Sequence, residues 1–235
     1  MTATNKGRLF IIPAPLGNKH VNFIHAEDIK KINHLQEFIV ENTKPARENI
    51  KKLKLKTPIQ EINLYENNNN KIVDLKFIKN LIDHGKDVGM ISDCGIPCAA
   101  DPGSNVVYYC HQNEIEIINI SGASSILISL IKSGFNGQNF EFIGYLPREE
   151  NKIKEKLNQM NTEIIRSKKT FIFIETPYRN NNIFNILIKN LPDERKLSVS
   201  IDLYGENELT LSQDISAWKK KTINFEKKPC IFLIN

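Results

Sequence analysis

The sequence predicts an α/β fold, and three observations predict it. Short runs rich in Ile, Val and Phe alternate with stretches whose apolar residues recur at helical spacing. The runs stop at clusters of Gly, Pro, Asp and Ser, residues that end a strand and turn the chain. The composition (235 residues, 40% hydrophobic, 25% charged) is that of a globular chain and excludes disordered, collagen-like and coiled-coil classes. This length accommodates one large domain or two of about 115 residues each.

Taken in order, Arg8–Ile12 is an apolar run ended by Pro13-Ala14-Pro15, which cannot continue a ladder. Phe38–Val40, Ile62–Tyr65, Val88–Ser92 and Ile115–Ile120 read as further strands, with helices over Val21–Lys31, Pro45–Leu55, Lys71–His84 and Ser104–His111 between them. Ile72, Leu75, Ile78, Leu81 and Ile82 trace one helical face. Strands alternating with helices imply βαβ units and a mostly parallel sheet. A small-residue turn, Ser121–Ser125, opens a second half with strands Phe140–Ile143, Thr170–Ile174, Leu197–Ile201 and Cys230–Ile234 and helices Ile126–Ile131, Asn151–Ser167 and Asn182–Asn190. The expected domains are 1–119 and 120–235, and the last strand is expected to pair inside its sheet. The Asn runs 67–70 and 180–182 read as compositional bias that carries little information.

Several function classes fall away. The net charge of +5 permits an anionic partner without demanding one. Four cysteines form no CxxC or Cys/His cluster, so free thiols in a reducing cytosol are expected, and no metal. The apolar stretch Leu9–Leu16 is short and broken by Pro13 and Pro15, unlike a signal peptide, and no run approaches the ~20 apolar residues of a membrane span. A cytoplasmic protein with no membrane contact is the expectation. No G-x-S-x-G elbow, HExxH or phosphate-binding Walker loop is present.

What remains is a set of Gly-, Pro- and Ser-rich loops at the carboxyl ends of expected strands, where open α/β sheets bind ligands. They are Pro13–Asn18, Asp93–Gly103, Ser121–Ser125 and Glu175–Arg179. Each alone could be a mere turn; four in corresponding places point to a ligand gripped largely by main-chain groups.

These residues carry a specific resemblance. PAPLGN (Pro13–Asn18), ENT…R (Glu41–Thr43, Arg47), SDCGIPCAADPG (Ser92–Gly103), SGASS (Ser121–Ser125), SGF…F.GYLPR (Ser133 to Arg148) and ETPYR (Glu175–Arg179) resemble the tetrapyrrole methylase superfamily, in its ribosomal small subunit methyltransferase I branch. The resemblance implies two α/β domains, the first with a mostly parallel sheet and the second with a mixed one. It also implies S-adenosylmethionine in the cleft between them, a homodimer, and 2′-O-methylation of a cytidine ribose in 16S rRNA within the small ribosomal subunit. Cofactor contacts then fall to Pro15, Leu16, Asp93, Gly95, Ile96, Pro97, Gly122, Ser124, Ser125 and Thr176. Three blocks depart from the branch. Its A-E-D-T-R reads Val40-Glu41-Asn42-Thr43-Lys44, its H-E-H-N-E reads Tyr65-Glu66-Asn67-Asn68-Asn69, and its R-E-L-T-K reads Ile201-Asp202-Leu203-Tyr204-Gly205. The cofactor loops are thus kept better than the loops facing substrate. Methylation of a tetrapyrrole or other small acceptor, and a non-catalytic S-adenosylmethionine-binding protein, stand as alternatives.

A ribose hydroxyl is a poor nucleophile until its proton leaves, so a nearby carboxylate is wanted. Glu41, at a strand end, is the candidate base; its competing roles are to cap the following helix or to pair with Arg47. Asp93 is expected to orient its loop and the cofactor. Lys44, Arg47, Lys51, Lys52, Lys54 and Lys56 face one acid, Glu48. Arg47, Lys51 and Lys54, at i, i+4 and i+7, share one helix face and could track RNA phosphates; a merely solvated face is the alternative.

Overall fold

The structure, a computed structural model, describes residues 6–225 and 227–235. The chain divides into two compact units, Met1–Ser124 and Ser125–Asn235.

The first unit holds β1 (Leu9–Ile12), α1 (Ala26–Ile32), β2 (Glu37–Val40), α2 (Thr43–Leu53), a 3₁₀ turn at Ile59–Glu61, β3 (Asn63–Glu66), α3 (Leu75–Asp83), β4 (Val88–Ile91), α4 (Ser104–Gln112) and β5 (Ile117–Asn119). The sheet runs β3-β2-β4-β1-β5 and every pairing is parallel. Strands β2 and β4 are buried along their whole length, which is why they read as continuous apolar runs. Alternation along the strands fills two cores. Phe10, Ile12, Phe38 and Val40 meet Ile32 of α1 and Ala46, Ile50 and Leu53 of α2. Leu9, Ile39, Val88 and Met90 meet Ile78 and Ile82 of α3 and Val106 and Cys110 of α4. Both faces of the sheet are therefore covered.

Helix ends shift from the sequence expectation for local reasons. The helix expected at Val21–Lys31 forms only from Ala26, and the one expected from Lys71 starts at Leu75, where the Asp74 side chain accepts the Lys76 and Phe77 N–H groups. Helix α2 begins two residues earlier than expected and stops at Leu53, with Lys54 in the left-handed region (φ 52). The unit boundary falls at Ser124/Ser125 rather than 119/120. The Ile120 N–H donates to Ile11 O, and a Cβ on Gly122 would lie 2.3 Å from the Pro13 Cβ, so the segment after β5 stays packed on the first sheet.

The second unit holds α5 (Ser125–Ser133), β6 (Phe140–Tyr145), α6 (Glu150–Ser167), β7 (Thr170–Glu175), α7 (Asn180–Asn190), β8 (Lys196–Ile201), β9 (Leu209–Asp214), α8 (Ile215–Trp218) and β10 (Cys230–Ile234). Its sheet, β6-β7-β10-β8-β9, is mixed: β6 and β7 are parallel, the other neighbours antiparallel. The chain's last strand lies at the centre, paired on both sides. Edge strand β9, half-buried and polar (LTLSQD), has no counterpart in the sequence reading. Trp218, Phe184, Phe225 and a stacked Phe173–Phe232 pair fill one side with α6 and α7, and α5 covers the other through Leu130. The Asn180–Asn182 run is structural rather than inert. Asn180 is fully buried and donates to Lys228 O, while Asn181 bonds Asn224 and the Phe225 N–H.

Candidate active site

Because all five strands of the first sheet are parallel, they end on one edge. Strand order sets β2, β4, β1 and β5 side by side. The segments leaving them (Glu41-Asn42, Ser92–Gly103, Pro13–Asn18 and Ile120–Ser124) are neighbours at a strand spacing of about 4.8 Å. Residues far apart in sequence thus share one rim.

Two of these loops are tied together. The Ala14 N–H donates to Gly95 O at 2.7 Å, an isolated antiparallel bridge, and the Cys94 thiol faces Leu16 O at 3.7 Å. The Leu16 N–H donates to His20 Nδ1 at 3.2 Å, and burial holds the His20 pKa below its ordinary value, in keeping with a neutral acceptor. The loop carrying Pro15 and Leu16 is thereby fixed against the one carrying Cys94 and Gly95. Gly95 has φ +78, while a Cβ there would meet nothing closer than Leu16 Cδ2 at 3.4 Å. Its requirement for glycine comes from backbone conformation. Gly122, pressed on Pro13, is the position with no room.

Asp93 is held from α2 at two points. Asn42 Nδ2 donates to its Oδ2 at 2.7 Å, and Asn49 Nδ2 donates to its carbonyl oxygen at 2.9 Å. The other carboxylate oxygen, Oδ1, is buried without a hydrogen-bond partner. Asn42 is the N-cap residue of α2, where an Asn side chain ordinarily accepts an N–H of its own helix, yet it makes no cap bond. Glu66, from the end of β3, supplies the missing acceptor: its Oε1 takes the Thr43 N–H at 3.3 Å. A carboxylate suits the positive end of a helix, and this bond above all lowers the Glu66 pKa.

Glu41 follows β2 on the same rim. Burial first, then the negative charge of Asp93, push its carboxyl above the usual carboxylate range, against an opposing bond to the Asp93 backbone. Asp101 is pushed up to about 6 by burial and by the charges of Glu41 and Asp93, with a Ser92 hydrogen bond acting the other way. The three carboxylates form one coupled negative field. The Glu41 backbone is braced by the block that the sequence reading set aside as an Asn run. Asn68 Nδ2 donates to Glu41 O at 2.8 Å, and the buried Asn67 bonds Val40 O through its N–H and accepts the Val73 N–H at 3.3 Å. Capping of α2, one of the two competing roles for Glu41, belongs to Glu66.

The cations lie on α2 and just beyond it. Arg47 and Lys51, four apart, are exposed on α2. The expected third member, Lys54, is not on that stripe. The helix has ended, and the left-handed turn at Lys54 redirects its side chain into a groove with Lys52.

In the second unit, Ser125 opens α5 and Thr176 follows β7. The Thr176 N–H donates to Glu175 Oε1 at 2.9 Å and its carbonyl accepts the Arg179 N–H at 2.9 Å. Arg179 reaches back to the buried Glu175 (Nη1 to Oε2, 3.3 Å) and donates through Nη2 to Pro147 O at 2.9 Å. The arginine of ETPYR therefore locks the loop after β7 to the GYLPR segment after β6. Among the described residues, no group of three or more His, Cys, Asp and Glu could hold a metal ion, and no helix is long and apolar enough to cross a membrane.

Known proteins resemble the chain along most of its length. It is 29% identical to Ribosomal RNA small subunit methyltransferase I of Thermotoga maritima over 94% of this chain and 93% of that protein. Against the protein of the same name from Bacillus subtilis it is 26% identical over 91% of this chain and 69% of that one. No family model matches. Among solved structures, the methyltransferase CobJ superposes with a TM-score of 0.62 at 15% identity, covering 97% of this chain and 94% of that one, a likeness of fold.

Proposed function

We infer that the chain belongs to the tetrapyrrole methylase superfamily, in its ribosomal small subunit methyltransferase I branch. It acts as an S-adenosylmethionine-dependent methyltransferase on the 2′-hydroxyl of a cytidine ribose in 16S rRNA. One observation carries the assignment of the site: a braced rim of loops in which one oxygen of Asp93 is buried without a partner while the rest of that residue is held. Such an atom is costly unless a ligand supplies a donor.

S-adenosylmethionine fits that demand, since it brings hydroxyl and ammonium donors and a cationic sulfonium to a negative field. When bound it supplies an activated methyl group for in-line displacement. Pro15, Leu16, Asp93, Gly95, Ile96, Pro97, Gly122, Ser124, Ser125 and Thr176 would hold it, as the resemblance implies. The chain's own task is then to position the acceptor and move one proton. Glu41 accepts the proton of the ribose hydroxyl as the oxygen attacks. Its raised pKa makes it a stronger base than an exposed glutamate. We place the protein in the cytoplasm with its ribosomal substrate and read it as a homodimer, again from the resemblance.

Mass-spectrometric mapping of 16S rRNA from a deletion strain tests the function. Loss of one 2′-O-methyl cytidine, restored by the wild-type gene and not by Glu41→Gln, is expected. An unchanged map would overturn the rRNA reading and leave the small-acceptor and non-catalytic alternatives.

A further inference from the structure

Beside the C-terminal end of α2 lies a groove of about 590 Å³, within the size range of small-molecule sites. Its floor is apolar: Phe23, Ile24, Ile29 and Leu53, all part of or packed on the first core. Its rim is basic. Lys52, Lys54 and His25 line it, and no acid does. Val21 stands on the lip, 71% exposed. A stack-receiving apolar surface edged by cations is the chemistry of single-stranded nucleic acid binding, where a base covers the floor and phosphates meet the lysines.

The position of the groove agrees with such a ligand. Helix α2 starts beside Glu41 and ends at the groove, about 15 Å away at 1.5 Å per residue over its ten intervals. Arg47 and Lys51 lie between, so cations mark the route from the candidate base to the groove. At 100° per residue, Lys52 is displaced by about 140° from Arg47 around α2, on the flank that borders the groove. The left-handed turn at Lys54 adds the second lysine to the same side.

We propose that this groove binds a nucleotide flanking the acceptor in single-stranded RNA, its base on the Phe23–Ile29–Leu53 floor and its phosphate at Lys52 and Lys54. The proposal rests on the rRNA reading above and adds where the strand is gripped away from the chemistry. At such a distance the groove sets which RNA is presented, while Glu41 acts on a different nucleotide.

Two variants test it with little risk to the fold. Val21→Glu puts an acid on an exposed lip position. Lys52→Ala combined with Lys54→Gly removes both cations, and glycine accepts the left-handed backbone at 54. The probe is a labelled single-stranded RNA oligonucleotide of mixed sequence, titrated at several salt concentrations. An acidic peptide serves as a second probe, and methyl transfer to small ribosomal subunits by the wild type is measured alongside. The lysine pair should lower the salt slope by about 1.4, at roughly 0.7 per lost phosphate contact, and Val21→Glu should weaken binding at least about fivefold at low salt. Both variants should bind S-adenosylmethionine as the wild type does. Unchanged RNA affinity and slope would overturn the proposal, as would weakened binding of the acidic peptide alone, which would make the groove a protein-docking site. If the wild type methylates subunits but the variants bind RNA normally, only the groove falls. If the wild type binds RNA through the groove but transfers no methyl group, only the functional reading falls.

Discussion

At the scale of the residue, the most informative position is Asn42, which stands where a helix cap belongs and bonds Asp93 instead. Asn42→Ser retains a capping hydroxyl but is too short to hold Asp93. Calorimetry should show S-adenosylmethionine affinity down about tenfold, part of the ~1.5–3 kcal/mol of a hydrogen bond to a charged group, with stability within about 0.5 kcal/mol. Wild-type affinity in Asn42→Ser would mean that the cap alone matters. Asp101 makes a separate prediction. Its folded pKa, about 6, lies above the ordinary value of 3.8, so between those values the folded chain holds a proton that the unfolded chain has released. Its contribution is therefore most favourable at low pH and declines as pH rises from about 4 to about 6. Denaturant midpoints should show Asp101→Asn flattening that decline and gaining stability at neutral pH. Equal pH profiles for the two proteins would refute this burial effect.

At the scale of the element, α2 has several roles at once. Ala46, Ile50 and Leu53 seal the first core, Asn42 and Asn49 hold Asp93, and Arg47 and Lys51 face solvent. The outward pair can be removed without touching the inward set. Arg47→Ala with Lys51→Ala should leave S-adenosylmethionine affinity unchanged and flatten the salt dependence of RNA binding by about 1.4. A full salt slope in the double variant would show a solvated face. Element boundaries were the least legible part of the sequence. Periodicity located α3, but the stop of α2 depends on a left-handed Lys54, a conformation that Gly or Asn signals and Lys does not. Strand β9 escaped notice because an edge strand with a polar, half-buried pattern gives no apolar run.

At the scale of the whole molecule, the last strand is the keystone of the second unit. Strand β10 pairs β7 on one side and β8 on the other, and its residues are all buried. A chain ending at Pro229 should lose the second core. The single Trp, Trp218, lies fully buried there, so its fluorescence should shift to the red. A native emission spectrum from the truncated chain would refute this. Sedimentation tests the proposed homodimer: a species of twice 27.0 kDa is expected at micromolar concentration, and a 27.0 kDa species throughout would overturn it.

By itself the sequence determined the alternation of strands and helices, the two α/β units and the Gly-, Pro- and Ser-rich loops at the strand ends, because apolar periodicity and Gly/Pro punctuation are local properties. The tertiary structure decided what those loops touch. Asp93 needs Asn42 and Asn49 from a helix more than forty residues away in sequence, and Glu41 is braced by Asn68 from a run that composition alone made look empty. Glu66 caps a helix whose first residue, Thr43, precedes it by twenty-three positions. Such contacts are set by strand order, here β2 beside β4 and β3, and strand order is fixed by how the covered faces pack. A residue's neighbours along the chain carry no record of that choice, so the loops could be located from sequence while the contacts between them could not.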